Sequence, residues 1–419
     1  MSDSYTSIYK FCQTKLSWQK INRKIQQQIK IVTDFLSLLT INLLRNIVLL
    51  SRSDLNSSQQ FNINWFGVEE QVKLIDLEAA AKASEGHQAA ARRDRQLFKQ
   101  LNNEKPFIVT IKKAKLIGEH GLVIDRENNL YLESLLQKLS YPKQHQNILA
   151  IGNYLPVEDL LQDTLSKTER PAIAGTYCSL LHQYSGNYYH WMQDCLSRLP
   201  AVEFYQQLTG IIPILIVPAK LKSWQANSLQ LMGYDRDRYL PWQAKNRSVE
   251  NLILPSCRHY KFQSPDTYRW IKKRILSNIQ LRQMGCSFAS KVFISRRNAK
   301  NRRILNEERV LEALQPLGFQ PYELETMSFQ EQVKLFAEAE IVIAPHGAGL
   351  TNIVYAKDLT VIELFGNHLA SCYADMSTAL GYRYQCLVCK STRYPYIPSK
   401  HQDMIVDIDR LICSIKSNL

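Results

Sequence analysis

The sequence predicts an α/β chain whose second half is a doubly wound, parallel sheet. Three observations point there. From about residue 291 onward, short apolar runs alternate with amphipathic helical stretches, and strands joined through helices in that order lie parallel. The chain has 419 residues, 45% hydrophobic and 21% charged, which is too long for one comfortable core and calls for two core-bearing lobes. Glycines fall where an apolar run gives way to a helical stretch, at Gly186, Gly347 and Gly349.

Residues 1–60 differ from the rest. Lys10, Lys15, Lys20, Arg23, Lys24 and Lys30 precede an apolar stretch over 31–50 that reads as helix. Asp34, Asn42, Arg45 and Asn46 lie inside that stretch and make a bilayer span too costly. Two readings stay open: an interfacial helix whose basic residues sit on anionic headgroups, giving a peripheral membrane contact through residues 1–55, and a helix packed on the protein or a partner. The first thirty or so residues have no apolar core followed by a small-residue cleavage site, so no secretory signal is expected. The expected location is cytoplasmic, peripheral at the inner membrane face.

A polar run over 51–60 reads as a linker. Residues 107–133 alternate and carry a turn at 125–129, the pattern of a β-meander. An α/β rhythm then begins, with a helix over 189–208, a strand over 211–217, a helix over 221–232 and a strand over 251–255. A helical stretch over 265–283 leads to the second set: strands over 292–295, 319–322, 341–344 and 361–364, with helices over 306–314, 328–337 and from 349. The expected division is an extension over 1–60, an N-terminal lobe over 61–260 and a C-terminal lobe over 261–419. In such sheets ligands sit beyond the carboxyl ends of the strands, so the loops 295–303, 344–349 and 364–367 should face one cleft.

A formal charge of +14 favours anionic partners without choosing among them. Nine cysteines scattered through the chain do not form a disulfide framework, and a reducing compartment fits them better. Cys386 and Cys389 have redox or zinc spacing, but no second pair completes a four-ligand site, so they read as buried thiols on a strand.

Three constellations carry chemistry. The first is the turn Pro345, His346, Gly347, Ala348, Gly349. Glycine lets a backbone approach a ligand, and the first amides of a helix present free donors to an anion such as a diphosphate; ordinary turn chemistry is the equal alternative. His346 would donate to a phosphate or ribose oxygen, or be a satisfied structural histidine. The second is Ser295, Arg296, Arg297, Asn298 with Lys300, Arg302 and Arg303. Arg296 or Arg297, and Arg303, are the expected diphosphate ligands, because a forked guanidinium suits phosphate; Lys300 and Arg302 read as exposed basic surface. Glu363, an acid in an apolar run, suits ribose hydroxyls or caps the following turn. The third is Asn187, His190, Trp191 and Asp194. His190 and Asp194 are four apart, so on a helix they share a face and address one hydroxyl, one as general base and the other orienting it. Which is the base stays open at this level.

Asn187, His190, Trp191, Asp194, Arg198, Leu199 and Pro200, followed by Ser295-Arg296, Arg303 with Asn306 and Glu307, His346-Gly347-Ala348 with Leu350, and Val361 with Glu363 and Leu364, resemble the ordered motifs of glycosyltransferase family 61. The resemblance covers about the C-terminal three fifths. It implies a two-lobed GT-B-like fold, two Rossmann-like lobes with a cleft between, preceded here by the N-terminal helical segment. It further implies a nucleotide-sugar donor, a UDP-sugar by family habit, held by Arg296, Arg297, Arg303, His346, Gly347, Ala348, Gly349 and Glu363. A glycan or glycolipid acceptor would lie against Asn187 and Trp191, with inversion at the anomeric carbon. No metal and no separate cofactor are then required, the nucleotide sugar being a substrate. Asp235 and Asp237 imitate a metal-binding Asp-x-Asp motif of another transferase class but follow Gly233-Tyr234 without a strand, and read as a turn.

Two rivals come from other classes. A non-catalytic nucleic-acid-binding protein would account for the charge, but the arginine loop lacks interleaved aromatics, so no nucleic acid is expected. A GT-B-like transferase of a non-sugar group, such as pyruvyl, would differ in product mass.

Overall fold

The computed structural model describes residues 48–50, 60–62, 107–127, 129–131, 171–243, 247–255, 264–281, 284–392 and 401–417. The basic run and most of the apolar stretch expected to be helical lie outside the described residues. The end of that stretch, Val48–Leu50, is a strand (β1) rather than helix. It pairs in parallel with Asn129–Tyr131 (β6), and a sheet partner decides between strand and helix where a short apolar run is ambiguous alone. Gln60–Asn62 (β2), at the end of the expected linker, is also a strand.

The first sheet is mixed. The expected meander is present as Phe107–Lys112 (β3), Lys115–Ile117 (β4), Leu122–Ile124 (β5) and β6, turning through Gly118 and Gly121, both with positive φ. Four further strands are mutually parallel: Ile173–Ser179 (β7), Ile214–Pro218 (β8), Tyr239–Trp242 (β9) and Arg247–Pro255 (β10). The path runs β1-β6-β5-β4-β10-β7-β8-β9, with β3 also on β10 and β2 on β3. Strand β10 joins the halves, antiparallel to β3 and β4 and parallel to β7.

The second sheet is wholly parallel, as the alternation predicts. It comprises Lys291–Ile294 (β11), Gln320–Tyr322 (β12), Ile341–Pro345 (β13), Thr360–Phe365 (β14) and Arg383–Val388 (β15) in the order β12-β11-β13-β14-β15. Every residue of β13 and β14 is buried, as required of central strands covered on both faces. The chain reverses its direction of travel across the sheet between β11 and β13, and crevices for ligands open at such a switch point, beyond the carboxyl ends.

Helices on these sheets start and stop where local chemistry dictates. Leu199–Thr209 (α1) opens with a proline and stops at Gly210, φ +72°, a left-handed position that costs glycine little. Ser223–Leu231 (α2) follows β8. Pro265–Asn278 (α3) is capped by the Ser264 hydroxyl. Glu307–Leu314 (α4) begins with two acids, and Phe329–Glu338 (α5) with a reciprocal Ser328–Glu331 capping box. Ala348–Tyr355, expected as an ordinary helix, is wound as 3-10. Cys372–Leu380 (α6) ends at Gly381, and Ile408–Lys416 (α7) closes the described chain.

One apolar cluster runs from β7, β8 and β10 through the helices to β11, β13 and β14, with Trp191, Tyr355 and Phe336 fully buried in it. Separate clusters cover the outer face of each sheet. The core is thus continuous between the sheets. Among the described residues no helix is long and apolar enough to cross a membrane.

Cys386 lies on β15 and Cys389 just beyond it; both are free thiols. Burial pushes Cys386 up to about 11, with Glu363 adding to the effect, and Cys389 up to about 12. Cys413 is exposed. Because the thiolate is the nucleophile, iodoacetamide at pH 8 is expected to label the Cys413 peptide and leave the 384–390 peptide unlabelled by mass spectrometry.

Candidate active site

The helical run over 188–198 sets one half of the site. The Asn187 side chain caps it, its Oδ1 accepting from the amides of Tyr189 and His190. Trp191 to Cys195 are all buried, and over these five residues the winding widens to a π turn that ends with the Leu196 amide on the Trp191 carbonyl. A regular helix was expected here. Five consecutive buried side chains exceed the one buried stripe that a surface helix presents, and a π turn inside a helix is a frequent mark of a functional site.

Within this turn His190 Nδ1 lies 2.8 Å from Asp194 Oδ2, with side-chain exposures of 21% and 3%. The buried carboxylate fixes the imidazole, and Nε2 is the ring nitrogen left for other partners. Tyr184 packs its ring 5.0 Å from His190, and Tyr189 lies edge-on at 5.2 Å. Behind them is a residue whose role the sequence did not disclose. Arg198, 3% exposed, donates from Nε to the Asp194 carbonyl at 3.0 Å and from Nη1 to the Ser179 carbonyl at 2.6 Å, tying the turn to the end of β7.

The acceptor-side expectations receive structural roles instead. Trp191 is fully buried and donates from Nε1 to Ser228 Oγ at 2.9 Å. It is a core residue, since a side chain with no exposed surface cannot meet a substrate. Asn187 is occupied as the helix cap.

The other half gathers at the switch point between β11 and β13. The turn after β13 carries His346, whose Nδ1 lies 2.6 Å from Glu363 Oε1; the second oxygen of Glu363 accepts from the Tyr384 hydroxyl at 2.6 Å. Glu363 has no exposed surface. Its position therefore departs from the ribose-acceptor expectation: it orients His346 from below. The imidazole stacks on Phe365, 5.1 Å between ring centres. Gly347 is buried, and a Cβ there would lie 2.4 Å from Arg296 Nη1, so the missing side chain is what lets the guanidinium reach the turn. A Cβ at Gly349 would meet Leu324 Cδ1 at 2.6 Å. Ala348, half-buried, opens the 3-10 segment between them.

The loop after β11 divides its arginines. Arg296 is half-buried and donates from Nη2 to the Asn301 carbonyl at 3.1 Å. Burial lowers its pKa to about 10, with the neighbouring Arg302 charge adding. Arg297 is 52% exposed and pairs with Glu307 and Glu323, each at 3.4 Å. Arg303, 47% exposed, is held by Asp403 through Nη2 at 2.7 Å and through its own amide at 2.8 Å. Lys300 is exposed as expected. Arg302 is not: it turns inward, against the reading of it as open basic surface, and takes a left-handed φ of +55°.

Tyr373 joins the two halves. Its ring lies 5.7 Å from Tyr189, the neighbour of His190, and 5.5 Å from His346. Tyr188 donates to Asn352 Oδ1 in the 3-10 segment. The histidine pair and the glycine turn are thus parts of one contiguous region. Asp235 and Asp237 are exposed, the first preceding and the second in the middle of the single 3-10 turn Arg236–Arg238. Among the described residues no three His, Cys, Asp or Glu side chains gather as metal ligands.

This region, from the capped turn at Tyr188 to the middle of β14, is the part of the chain that matches a known family: the glycosyltransferase 61 model aligns over residues 188–362. Residues 188–362 are similar to glycosyltransferase 61. The chain is similar to EGF domain-specific O-linked N-acetylglucosamine transferase of Xenopus laevis, 30% identical over 124 residues, covering 28% of this chain and 24% of that protein. The Drosophila melanogaster protein of that description is 30% identical over 115 residues, 26% of this chain and 22% of its own. The Mus musculus protein is 27% identical over 129 residues, 29% and 24%. The chain spans about a quarter of the length of the curated relatives it matches. His190, Asp194, Arg296, Arg302, His346 and Gly347 all fall inside the matched residues, Glu363 one residue beyond them.

Proposed function

We propose that the protein is an inverting glycosyltransferase that moves a sugar from a nucleotide-sugar donor to a hydroxyl acceptor. The observation that carries this reading is the half-buried His190 held by buried Asp194 at 2.8 Å, in one region with a basic glycine turn at a sheet switch point. His190 Nε2 takes the proton of the acceptor hydroxyl. The acceptor oxygen attacks the anomeric carbon from the face opposite the diphosphate, the bond from that carbon to the phosphate oxygen breaks, and the nucleoside diphosphate leaves with the electron pair. Asp194 stabilises the imidazolium that forms. A positioned base of this kind contributes about 10²–10⁴-fold, and cationic donors aimed at the departing oxygen stabilise its charge without reorganising.

On the donor side, Arg296 and the Gly347 turn face the diphosphate, and His346, oriented by Glu363, addresses a phosphate or ribose oxygen. Guanidinium groups placed at the leaving group make a metal ion unnecessary in this mechanism. The named relatives transfer N-acetylglucosamine, which makes UDP-N-acetylglucosamine the first donor to try. The role fitting a hydroxyl acceptor is polysaccharide or glycoconjugate synthesis.

The stereochemical claim is tested by proton NMR of the product formed in EDTA. A product anomer opposite to the donor's supports a single in-line displacement at the anomeric carbon with His190 as base; retention, or loss of turnover in EDTA, overturns that mechanism. Gly347→Ala is expected to leave the unfolding temperature nearly unchanged, because a flexible guanidinium can move away from the new methyl. Nucleoside diphosphate binding, read by calorimetry, should weaken about tenfold as Arg296 is displaced.

A further inference from the structure

We propose that Arg302 and Arg296 together form the diphosphate subsite, and that Arg303 and Asn301 are the clasps that turn Arg302 into it. The proposal rests on the donor reading above and assigns its anion contact to a residue that sequence pattern alone left on the surface.

Two guanidinium groups of one loop carry a buried Nε with no hydrogen-bond partner among the described residues, those of Arg296 and Arg302. Buried donors in folded proteins are satisfied almost without exception, so an orphan asks for a missing acceptor. Here the orphans are guanidinium groups, and the Arg302 charge acts on Arg296. The carboxylates within electrostatic reach do not hydrogen-bond to either Nε: Glu363, near Arg302, has one oxygen on His346 and the other on Tyr384, and Asp403 and Glu325, near Arg296, make no hydrogen bond to its Nε, Asp403 binding Arg303 instead. Arg296 sits beside the Gly347 backbone at the switch point, and Arg302 lies within electrostatic reach of Arg296 and of Tyr373, the ring beside His346. A compact dianion is the group that would accept from both.

The backbone shows how Arg302 is held there. A non-glycine residue at φ +55° is unfavourable and persists only where the surroundings impose it. The imposition comes from residues 401–404. Asn301 Nδ2 contacts His401 Nδ1 at 3.0 Å, the Arg303 amide and side chain are both bound by Asp403, and the Met404 amide donates to the Arg303 carbonyl at 2.9 Å. With its neighbours pinned outward on both sides, Arg302 points in.

The test is calorimetric titration of the full chain with UDP, GDP, ADP and inorganic pyrophosphate, comparing Arg302→Gly, Arg302→Lys and Lys300→Ala, alongside thermal unfolding. Arg302→Gly is expected to weaken pyrophosphate and the preferred nucleotide about tenfold or more while the unfolding temperature holds or rises, because glycine accepts the left-handed backbone. Arg302→Lys keeps the charge without the fork and should recover part of the loss. Lys300→Ala removes the same charge two residues away on the surface and should change binding little. Equal effects of Arg302→Gly and Lys300→Ala, or a fall in stability without weaker binding, overturn the proposal while leaving the donor reading intact. Pyrophosphate binding that depends on Arg302, with no affinity for any nucleotide, keeps the arginine pair and overturns the donor reading. Binding of no probe by the unaltered protein overturns both.

Discussion

Replacing His190 with glutamine is expected to lower sugar transfer by about 10²–10⁴-fold without weakening nucleoside diphosphate binding. The asymmetry of the pair sets this expectation. Asp194 is almost wholly enclosed and His190 is not, so the imidazole can meet an acceptor and the carboxylate acts through it. Asp194→Asn should then be nearly as damaging by another route. An amide donating to Nδ1 would move the ring proton to Nε2, where a lone pair is needed. The double variant should be little slower than either single one, because residues that act as a unit are not additive. Single-turnover transfer measurements on the three variants check this. Full activity in His190→Gln with loss in Asp194→Asn would make the carboxylate the base and reverse the roles assigned here.

Trp191→Ala is expected to cost about 3–5 kcal/mol of stability, with the Ser228 hydroxyl left without its indole partner. Trp191 has no exposed surface, donates to Ser228 at 2.9 Å and meets the Trp224 ring edge-on at 6.3 Å. Truncation opens a cavity at the base of the π turn that carries His190, so activity should fall with the folded fraction. Trp191→Phe keeps most of the volume and should retain transfer at a smaller loss of stability. Urea unfolding followed by circular dichroism, with acceptor KM measured in parallel, separates core from acceptor roles. Unchanged stability together with a raised acceptor KM would return Trp191 to the acceptor side.

The centre of the second sheet was legible because β11, β13 and β14 are short apolar runs and α5 opens with a capping box. The 3-10 winding after Gly347 and the π turn over 191–195 were not, since both arise from burial on every side and leave no local signal. The site was legible as residue types. Its geometry was legible only where partners lie close in sequence, as with His190 and Asp194. Arg302 and Arg303 are adjacent arginines that no pattern distinguishes, and what separates them is a clasp from Asp403, one hundred residues away. Glu363 likewise reads as a solitary acid in an apolar strand until β13 and β15 bring His346 and Tyr384 to its two oxygens. Pairings across strands decide such roles, and a single sequence does not print them.

The central claim is transfer from a nucleotide sugar, and its most direct test is release of nucleoside diphosphate when the purified full chain meets a panel of nucleotide sugars in EDTA. UDP-N-acetylglucosamine belongs at the head of the panel, with a hydroxyl acceptor present. The account predicts release from one donor, lost in His190→Gln. A protein that releases and binds no nucleotide, yet binds oligonucleotides with steep salt dependence, would contradict it.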